Sequence, residues 1–174
     1  MVDPVQELKD DHRIIEKVLT ALTAAAEQEV PVEFYERAVD FIVNFADGCH
    51  HSKEEERLFP LLEARGIPRE GGPIGCMCHE HEIGRDHVKK MRESIAGEDR
   101  VGLRQASLQY VALLRDHIHK EDQILFPMGL TALSEQDLKD LRTTFDQVEE
   151  AGQYQPRYQK VADELLAQVG EGKN

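Results

Sequence analysis

The sequence lacks any run of about 18 apolar residues, and it contains only three cysteines among its 174 residues. Without such a run, no segment is expected to cross a membrane. The odd number of cysteines argues against a disulfide framework, and the single residue between Cys76 and Cys78 does not match the two-residue spacer of zinc and redox motifs. We therefore expect Cys49, Cys76 and Cys78 to be small core residues.

Basic residues are scarce. The 21 lysines and arginines stand against 34 aspartates and glutamates, and the net charge is −13. Such a charge repels phosphate backbones and anionic lipid, so neither a nucleic acid nor a membrane is an expected partner. The first 25 residues are too acidic for a signal or transit peptide, which favours a cytoplasmic protein.

Strand-like alternation is also absent, whereas every segment has apolar residues at helical spacing. We predict an all-α protein, with an up-down-up-down four-helix bundle in residues 1–130 and one or two further helices in residues 131–174. This extension is expected to pack on the bundle or at a homodimer interface. The inward stripe of the fourth predicted helix includes Ile124 and Met128. Pro60 and Pro127 should kink or loosen the last turns of the second and fourth helices.

A repeated motif is the main positive feature. The segment HHSKEEERLFP at residues 50–60 returns as HIHKEDQILFP at residues 117–127. Each copy has a histidine followed four residues later by a glutamate, a spacing that places both side chains on one face of a helix. Two such pairs in one small chain suggest two halves of a single metal site.

Four histidines fall on the four predicted inward faces, one on each helix, and two glutamates share those faces. The six candidate metal ligands are His12, His50, Glu54, His81, His117 and Glu121. Burying two carboxylates would cost several kcal/mol or raise their pKa values unless a cation compensates. This cost favours a metal site over the alternative of a hydrogen-bonded polar core. More than four nitrogen and oxygen donors favour a pair of iron ions over structural zinc, and two carboxylates suit the bridging of two metals.

The pattern leaves several polar neighbours open. His51 lies on a half-polar face next to His50, and it is an additional ligand, a partner of a ligand, or a surface residue. Glu55 and Asp122 are interpreted as parts of solvated faces. His119, on the polar side of the fourth predicted helix, is interpreted as solvated.

The chain resembles the hemerythrin-like (HHE cation-binding) family in Asp11-His12, in residues 49–60, in residues 80–82 and in residues 117–127. The resemblance implies a four-helix bundle around two oxo- or hydroxo-bridged iron ions. The four histidines would be terminal ligands and the two glutamates bridges. One departure is Met77, because oxygen-carrying members have a further histidine at that position. Either His51 replaces this ligand or one iron has an extra open position.

The resemblance implies a di-iron protein that binds or senses dioxygen or a related small oxidant, such as peroxide or nitric oxide. An extra open position would favour redox turnover over reversible oxygen carriage. Three alternatives remain open at this point. They are an enzyme that reduces peroxide or nitric oxide with an unknown redox partner, an iron store or donor for metal-centre repair, and a structural bundle that holds zinc.

Overall fold

The structure is a computed structural model that describes residues 3–152 and 154–170 of the chain. These residues form six helices and no strand, which confirms the prediction of an all-α protein. The helices are α1 (Pro4–Ala25), α2 (residues 32–64), α3 (Pro73–Ala96), α4 (residues 100–132), α5 (Glu135–Gly152) and α6 (Tyr154–Gly170). None of these described helices has both the length and the apolar character needed to span a bilayer.

Polar side chains define where two of the helices begin. Asp3 accepts a hydrogen bond from the backbone N–H of Val5 at 2.9 Å, and the proline after Asp3 occupies the first turn of α1. Ser134 and Asp137 form a reciprocal capping box ahead of α5. The backbone N–H of Ser134 donates to the Asp137 carboxylate at 2.9 Å, and that of Asp137 donates to the Ser134 hydroxyl at 3.2 Å.

Helices α2 and α4 widen into π-helical turns at the repeated motif. These turns are Ile42–His51 and Glu54–Leu58 in α2 and Glu121–Leu125 in α4. In both copies the phenylalanine N–H donates to the carbonyl of the motif glutamate, five residues earlier. The following residue is Pro60 or Pro127, which has no N–H and would crowd the preceding turn of an ordinary α-helix. The loosening expected at these prolines therefore takes the form of a wider turn.

The π turn in α4 also changes which residues face inward. Ile124 is 52% exposed and Met128 is 41% exposed, so their placement on the inward stripe was wrong. A π turn closes its hydrogen bond over five residues rather than four. Ile124 within the turn and Met128 beyond it are therefore rotated relative to the α-helical pattern on which the prediction was based.

A layer of buried polar residues separates two apolar cores. The first core includes Ile15, Leu19, Phe45, Met91 and Leu114. The second core includes Leu8, Leu58, Met77, Leu125 and Phe126. Each of the helices α1 to α4 contributes to both cores, and its buried histidines lie close to the change from one core to the other. Residues near the starts of α1 and α3 thus meet residues near the ends of α2 and α4 in the second core.

The last two helices bury their apolar faces against the first four. Helix α6 adds Tyr158, Ala162, Leu165 and Val169 to the first core. Helix α5 adds Leu141 and Phe145 to the second core. At roughly 25 cal/mol per Å² of apolar surface, fully burying a valine, leucine or phenylalanine side chain stabilises the fold by about 1.5–3 kcal/mol.

The cysteines differ from one another in burial. Cys49 is fully buried in the first core, as expected. Cys76 is exposed and Cys78 is half-buried, so the prediction that all three would be core residues was wrong. Helix α3 turns Met77, which lies between the two, into the second core, and the residues on either side of it consequently face outward.

Candidate metal centre

Seven buried side chains meet in the polar layer between the two cores. They are between 0% and 4% exposed, and they are His12, His50, His51, Glu54, His81, His117 and Glu121. Their donor atoms fall into two groups, in each of which all atoms lie within 4.8 Å of one another. The structure thus brings together all six side chains that the sequence singled out as ligands, and it adds His51.

We call the two groups the first and the second metal position. The first position consists of His12, His50, Glu54 and Glu121. The Nε2 atom of His12 lies 3.2 Å from a Glu121 oxygen, and the Nε2 atom of His50 lies 3.4 Å from a Glu54 oxygen. The histidines come from α1 and α2, and the carboxylates from α2 and α4.

The second position consists of His51, Glu54, His81 and His117. The Nε2 atom of His81 lies 3.5 Å from Glu54 Oε2 and 3.1 Å from the Nε2 atom of His117. His51 stacks on His81 with ring centroids 3.8 Å apart. Glu54 is therefore common to both positions, with Oε1 beside a histidine of the first and Oε2 beside a histidine of the second.

Glu121 also lies between the two positions. Its Oε2 atom is 3.2 Å from the Nε2 atom of His12 and 3.3 Å from that of His117. Each carboxylate consequently touches imidazoles of both groups. Two carboxylates placed in this way between two sets of histidines can bridge a pair of cations.

The Nδ1 atom of each of the five histidines faces a carboxylate outside the two groups. The Nδ1–carboxylate pairs are His12–Asp122 at 2.9 Å, His81–Glu55 at 2.6 Å, His117–Glu80 at 2.9 Å, His51–Asp47 at 3.3 Å and His50–Asp11 at 3.5 Å. The first four pairs are hydrogen bonds, which fix the ring orientation and leave Nε2 free to bind a metal. The Nδ1 atom of His50 only lies near Asp11 and has no hydrogen-bond partner among the described residues. The interpretation of Glu55 and Asp122 as solvated residues was wrong, because their carboxylates turn back towards the buried rings.

The wide turns of α2 explain why His50 and His51 both face the centre. Successive residues of an α-helix point about 100° apart, which follows from 3.6 residues per turn. Both histidines lie at the end of the π-helical segment Ile42–His51, where a turn holds more residues and adjacent side chains diverge less. His50 therefore reaches the first position and His51 the second.

The model of the hemerythrin HHE cation-binding domain matches residues 3–129, which is more than half of the chain. The chain belongs to this family. The iron-sulfur cluster repair protein YtfE of Dickeya chrysanthemi is 33% identical in an alignment of 89 positions that covers 47% of this chain and 40% of that protein. The YtfE protein of Musicola paradisiaca is 32% identical over the same length and the same shares.

The chain is also similar, over a longer stretch, to the uncharacterized protein Rv1995 of Mycobacterium tuberculosis. The two are 23% identical in an alignment of 171 positions that covers 92% of this chain and 66% of that protein. The chain thus spans two fifths of the length of the YtfE relatives and just under two thirds of the mycobacterial one. No solved structure matches the chain significantly.

The polar atoms of this HHE centre fit a cation. Both oxygens of Glu54, both oxygens of Glu121, and the Nε2 atoms of His12, His50 and His51 are buried without a hydrogen-bond partner among the described residues. Buried polar atoms are normally paired, and an unpaired charge costs several kcal/mol. Positive charge between the two glutamates would satisfy all of these atoms at once.

The two glutamates differ in electrostatics. Burial, together with the neighbouring Glu121, raises the pKa of Glu54 well above its usual range. Burial acts in the same direction on Glu121, but the imidazoles of His117 and His12 lower the pKa of that carboxyl well below its usual range. Without a cation the pair therefore favours one proton between two carboxyls.

The histidines also fall into two classes. Burial lowers the pKa of His50 and of His51 well below the usual range, so both rings are neutral and can offer a lone pair. Against the effect of burial, neighbouring carboxylates raise the pKa of His12, and they raise that of His117 to about 9. A metal bound at Nε2 would displace the protons that these two rings otherwise favour.

A lysine stands behind one histidine of each repeat. Lys53 Nζ donates to Asp11 at 3.3 Å, and Asp11 faces His50. Lys120 Nζ donates to Glu80, which accepts from His117. Sequence reasoning assigned no role to these lysines or carboxylates. The recurrence of lysine three residues after the histidine in both copies was the signal that could have pointed to them.

The C-terminal helices complete the surroundings of Asp11. The side-chain amide of Gln155, in α6, donates to Asp11 Oδ1 at 2.8 Å. Glu149, in α5, lies 3.7 Å from Lys53 Nζ, and the Phe145 ring lies 5.7 Å from the same atom. Residues that follow the matched family region therefore contact Asp11, the carboxylate that faces His50 of the metal centre.

Proposed function

We propose that the chain binds two iron ions, one at each position, with Glu54 and Glu121 as shared bridging carboxylates. The observation that carries this proposal is the convergence of seven buried donors into two groups with one glutamate in common. Five imidazoles and two carboxylates form a mixed nitrogen and oxygen set that suits iron better than the tetrahedral sets of structural zinc.

We propose that His51 supplies the ligand that is missing at Met77. Met77 is buried in the second core, where its thioether packs with apolar residues. His51 belongs to the second position together with His81 and His117, and its Nδ1 pairs with Asp47. The first position has two histidines and the second has three, which makes the two metal environments unequal.

Iron held in this way would supply one-electron redox chemistry and open coordination positions for a small ligand such as dioxygen, peroxide or nitric oxide. The protein contributes orientation and exclusion of water. Phe126 stacks beside His12 at 5.6 Å between ring centroids, and Phe59 stacks beside His81 at 6.1 Å. Leu58 and Leu125 are also buried next to the layer, so the surroundings favour small uncharged ligands.

The proposal is tested by metal analysis of protein that is purified without added metal. We expect about two irons per chain and visible ligand-to-metal absorption bands. Colourless protein that holds zinc, or one iron per chain, would refute it. Reduction without oxygen, followed by oxygen addition, then separates two uses of the centre. A spectrum that persists indicates reversible binding or sensing, and one that decays to the ferric form indicates turnover.

A second candidate is an iron donor for the repair of metal centres. It is favoured by the two YtfE relatives, whose names describe iron-sulfur cluster repair. We would incubate the loaded protein with a cluster-free iron-sulfur protein, sulfide and a chelator too weak to strip the centre. Cluster formation that tracks iron loss from the chain supports donation, and formation at the rate of free iron contradicts it.

The further expectations follow from the same fold. We propose an up-down-up-down course for α1 to α4, with residues 131–174 as an extension of the metal-binding bundle. A cytoplasmic location, a homodimer and a separate redox partner stay predictions.

A further inference from the structure

A cavity of about 230 Å³ lies between α2 and α3, beside the second position. His51 and His81 line it and are buried, whereas Lys89 and Arg92 line it and are exposed. The cavity therefore leads from the surface to the two histidines. At roughly 30 Å³ per water molecule it holds about eight waters, which suits a small organic molecule and not a nucleotide or a long lipid.

Part of the cavity wall is apolar, and the ion-paired side chains of Asp47 and Arg85 also line it. Ile42 and Val43 come from the π-helical part of α2, and Val88 comes from α3. Gly84 brings the α3 backbone close to Tyr110, whose ring would lie 3.6 Å from a Cβ atom at that position. A ligand that fills this space must have an apolar body.

The mouth of the cavity is positively charged in a chain whose net charge is −13. Arg85, also in the lining, is neutralised by ion pairs with Asp47 and Glu55, both at 2.8 Å. Within residues 3–152 and 154–170, no acidic side chain pairs with Lys89 or Arg92. Two free cations at the entrance are suited to an anionic group.

Tyr110 lines the cavity and carries a hydroxyl group. Its hydroxyl is fully buried and has no hydrogen-bond partner among the described residues. Burial, with a smaller contribution from the negative charge of Asp47, raises the pKa of Tyr110, so the hydroxyl remains a donor. A buried donor without an acceptor is costly, and a ligand oxygen in the cavity would satisfy it.

We propose that this cavity binds a short-chain organic acid that carries a second oxygen at its far end. The carboxylate lies between Lys89 and Arg92, the apolar chain packs against Ile42, Val43 and Val88, and the far oxygen accepts from Tyr110 near the second position. The proposal rests on the cavity itself and does not depend on which metal the centre holds.

The test is calorimetric titration of the metal-loaded protein, at constant ionic strength, with three matched probes. These are 6-hydroxyhexanoate, hexanoate, which lacks the far oxygen, and 1-hexanol, which lacks the charge. We expect 6-hydroxyhexanoate to bind most tightly. Hexanoate and hexanol should each bind more weakly, because each leaves one polar site of the cavity without its partner.

Variants then assign the contacts. The double variant Lys89→Ala and Arg92→Ala should weaken 6-hydroxyhexanoate about five- to tenfold, the effect expected of two partly exposed ion pairs, and should leave hexanol unchanged. Lys90→Ala is the matched control, because Lys90 is exposed on the same helix and does not line this cavity. Tyr110→Phe should weaken 6-hydroxyhexanoate to the level of hexanoate without affecting hexanoate itself.

Several outcomes would overturn the proposal. They are absence of binding of 6-hydroxyhexanoate to the loaded protein, equal binding of hexanol, and equal losses in the Lys90→Ala and double variants. Iron content, measured on the same samples, reports on the proposed function separately, so either proposal can fail while the other stands.

Discussion

The two copies of the repeated motif have the same local design and very different surroundings. In each copy a lysine, a carboxylate and a histidine follow one another towards the metal centre. Lys53 in the first copy is 0% exposed, whereas Lys120 in the second is 27% exposed. The difference arises because α5 and α6 cover the first copy and leave the second at the surface.

The covered copy is a closed network of charges. Lys53 Nζ contacts Glu7 at 2.7 Å and Asp11 at 3.3 Å, and both acids are buried. Against the effect of burial, Asp11 and its other acidic neighbours raise the pKa of Lys53, so the lysine stays charged. Replacing one member of such a network leaves the other charges buried without a partner.

The open copy is anchored more simply. Glu80 accepts hydrogen bonds from His117 and Lys120 at the edge of the bundle. Against partial burial, these two partners lower the pKa of Glu80 to about 2. The second position, which includes His117, is also the one next to the cavity. One half of the centre is thus enclosed by helices, and the other is accessible from the surface.

The largest effect on metal binding is expected at Glu54, because this carboxylate serves both positions. Glu54→Ala should release both metals, because Glu54 belongs to both groups of donor atoms. The measurement is metal content per chain after dialysis, with Glu56→Ala as control, because Glu56 is exposed on the same helix. Two metals retained in Glu54→Ala would rule out its bridging role.

The two lysines should differ in their effect on stability. We expect Lys53→Met to lower the free energy of unfolding by about 3–5 kcal/mol, since it leaves buried Asp11 without a cation and leaves Glu7 with Arg142 alone. Lys120→Met should cost about 0–1 kcal/mol, as for other exposed ion pairs. Urea denaturation of both variants, loaded with metal, provides the comparison. Equal losses would show that burial under α5 and α6 has no energetic consequence.

Removal of one histidine should distinguish the two positions. His51→Ala is expected to weaken metal binding at the second position about 100-fold, or roughly 2.7 kcal/mol, and to leave the first position filled. The readout is chelator competition followed by the absorption spectrum. His119→Ala serves as the control, because His119 is exposed on α4. An unchanged spectrum in both variants would remove His51 from the centre.

The smallest effect on metal binding is expected for Gln155, the residue of the C-terminal extension that donates to Asp11. Gln155→Leu removes the hydrogen bond to Asp11 and should weaken the first position about tenfold, the lower end of the range for partners of metal ligands. Gln159→Leu, on the same helix, loses only an exposed bond to Asp163 and should have no effect. The same chelator assay reads both. A loss confined to the second position would contradict the geometry of Asp11.

Much of the fold and of the centre follows from spacing along the chain. The helices, the layer of His12, His50, His81 and His117, and the two glutamates were predicted because a helix places residues three and four apart on one face. Errors appeared where that period changes or where a distant element matters. Ile124 and Met128 were misplaced by the π turn, and the partners of His81 and His12 were taken for solvated residues.

The sequence alone determined the local units of this protein. These are the histidine and glutamate on one helix face, the lysine between them, and the proline after a phenylalanine. Such features depend on helix geometry within one or two turns. Only the tertiary structure decided that His51 joins the second position, that Asp11 lies behind His50, and that α5 and α6 enclose Lys53 while Lys120 stays at the surface. The physical reason is that these contacts join residues far apart in the chain, such as Lys53 and Glu149, and their energies depend on how whole helices pack.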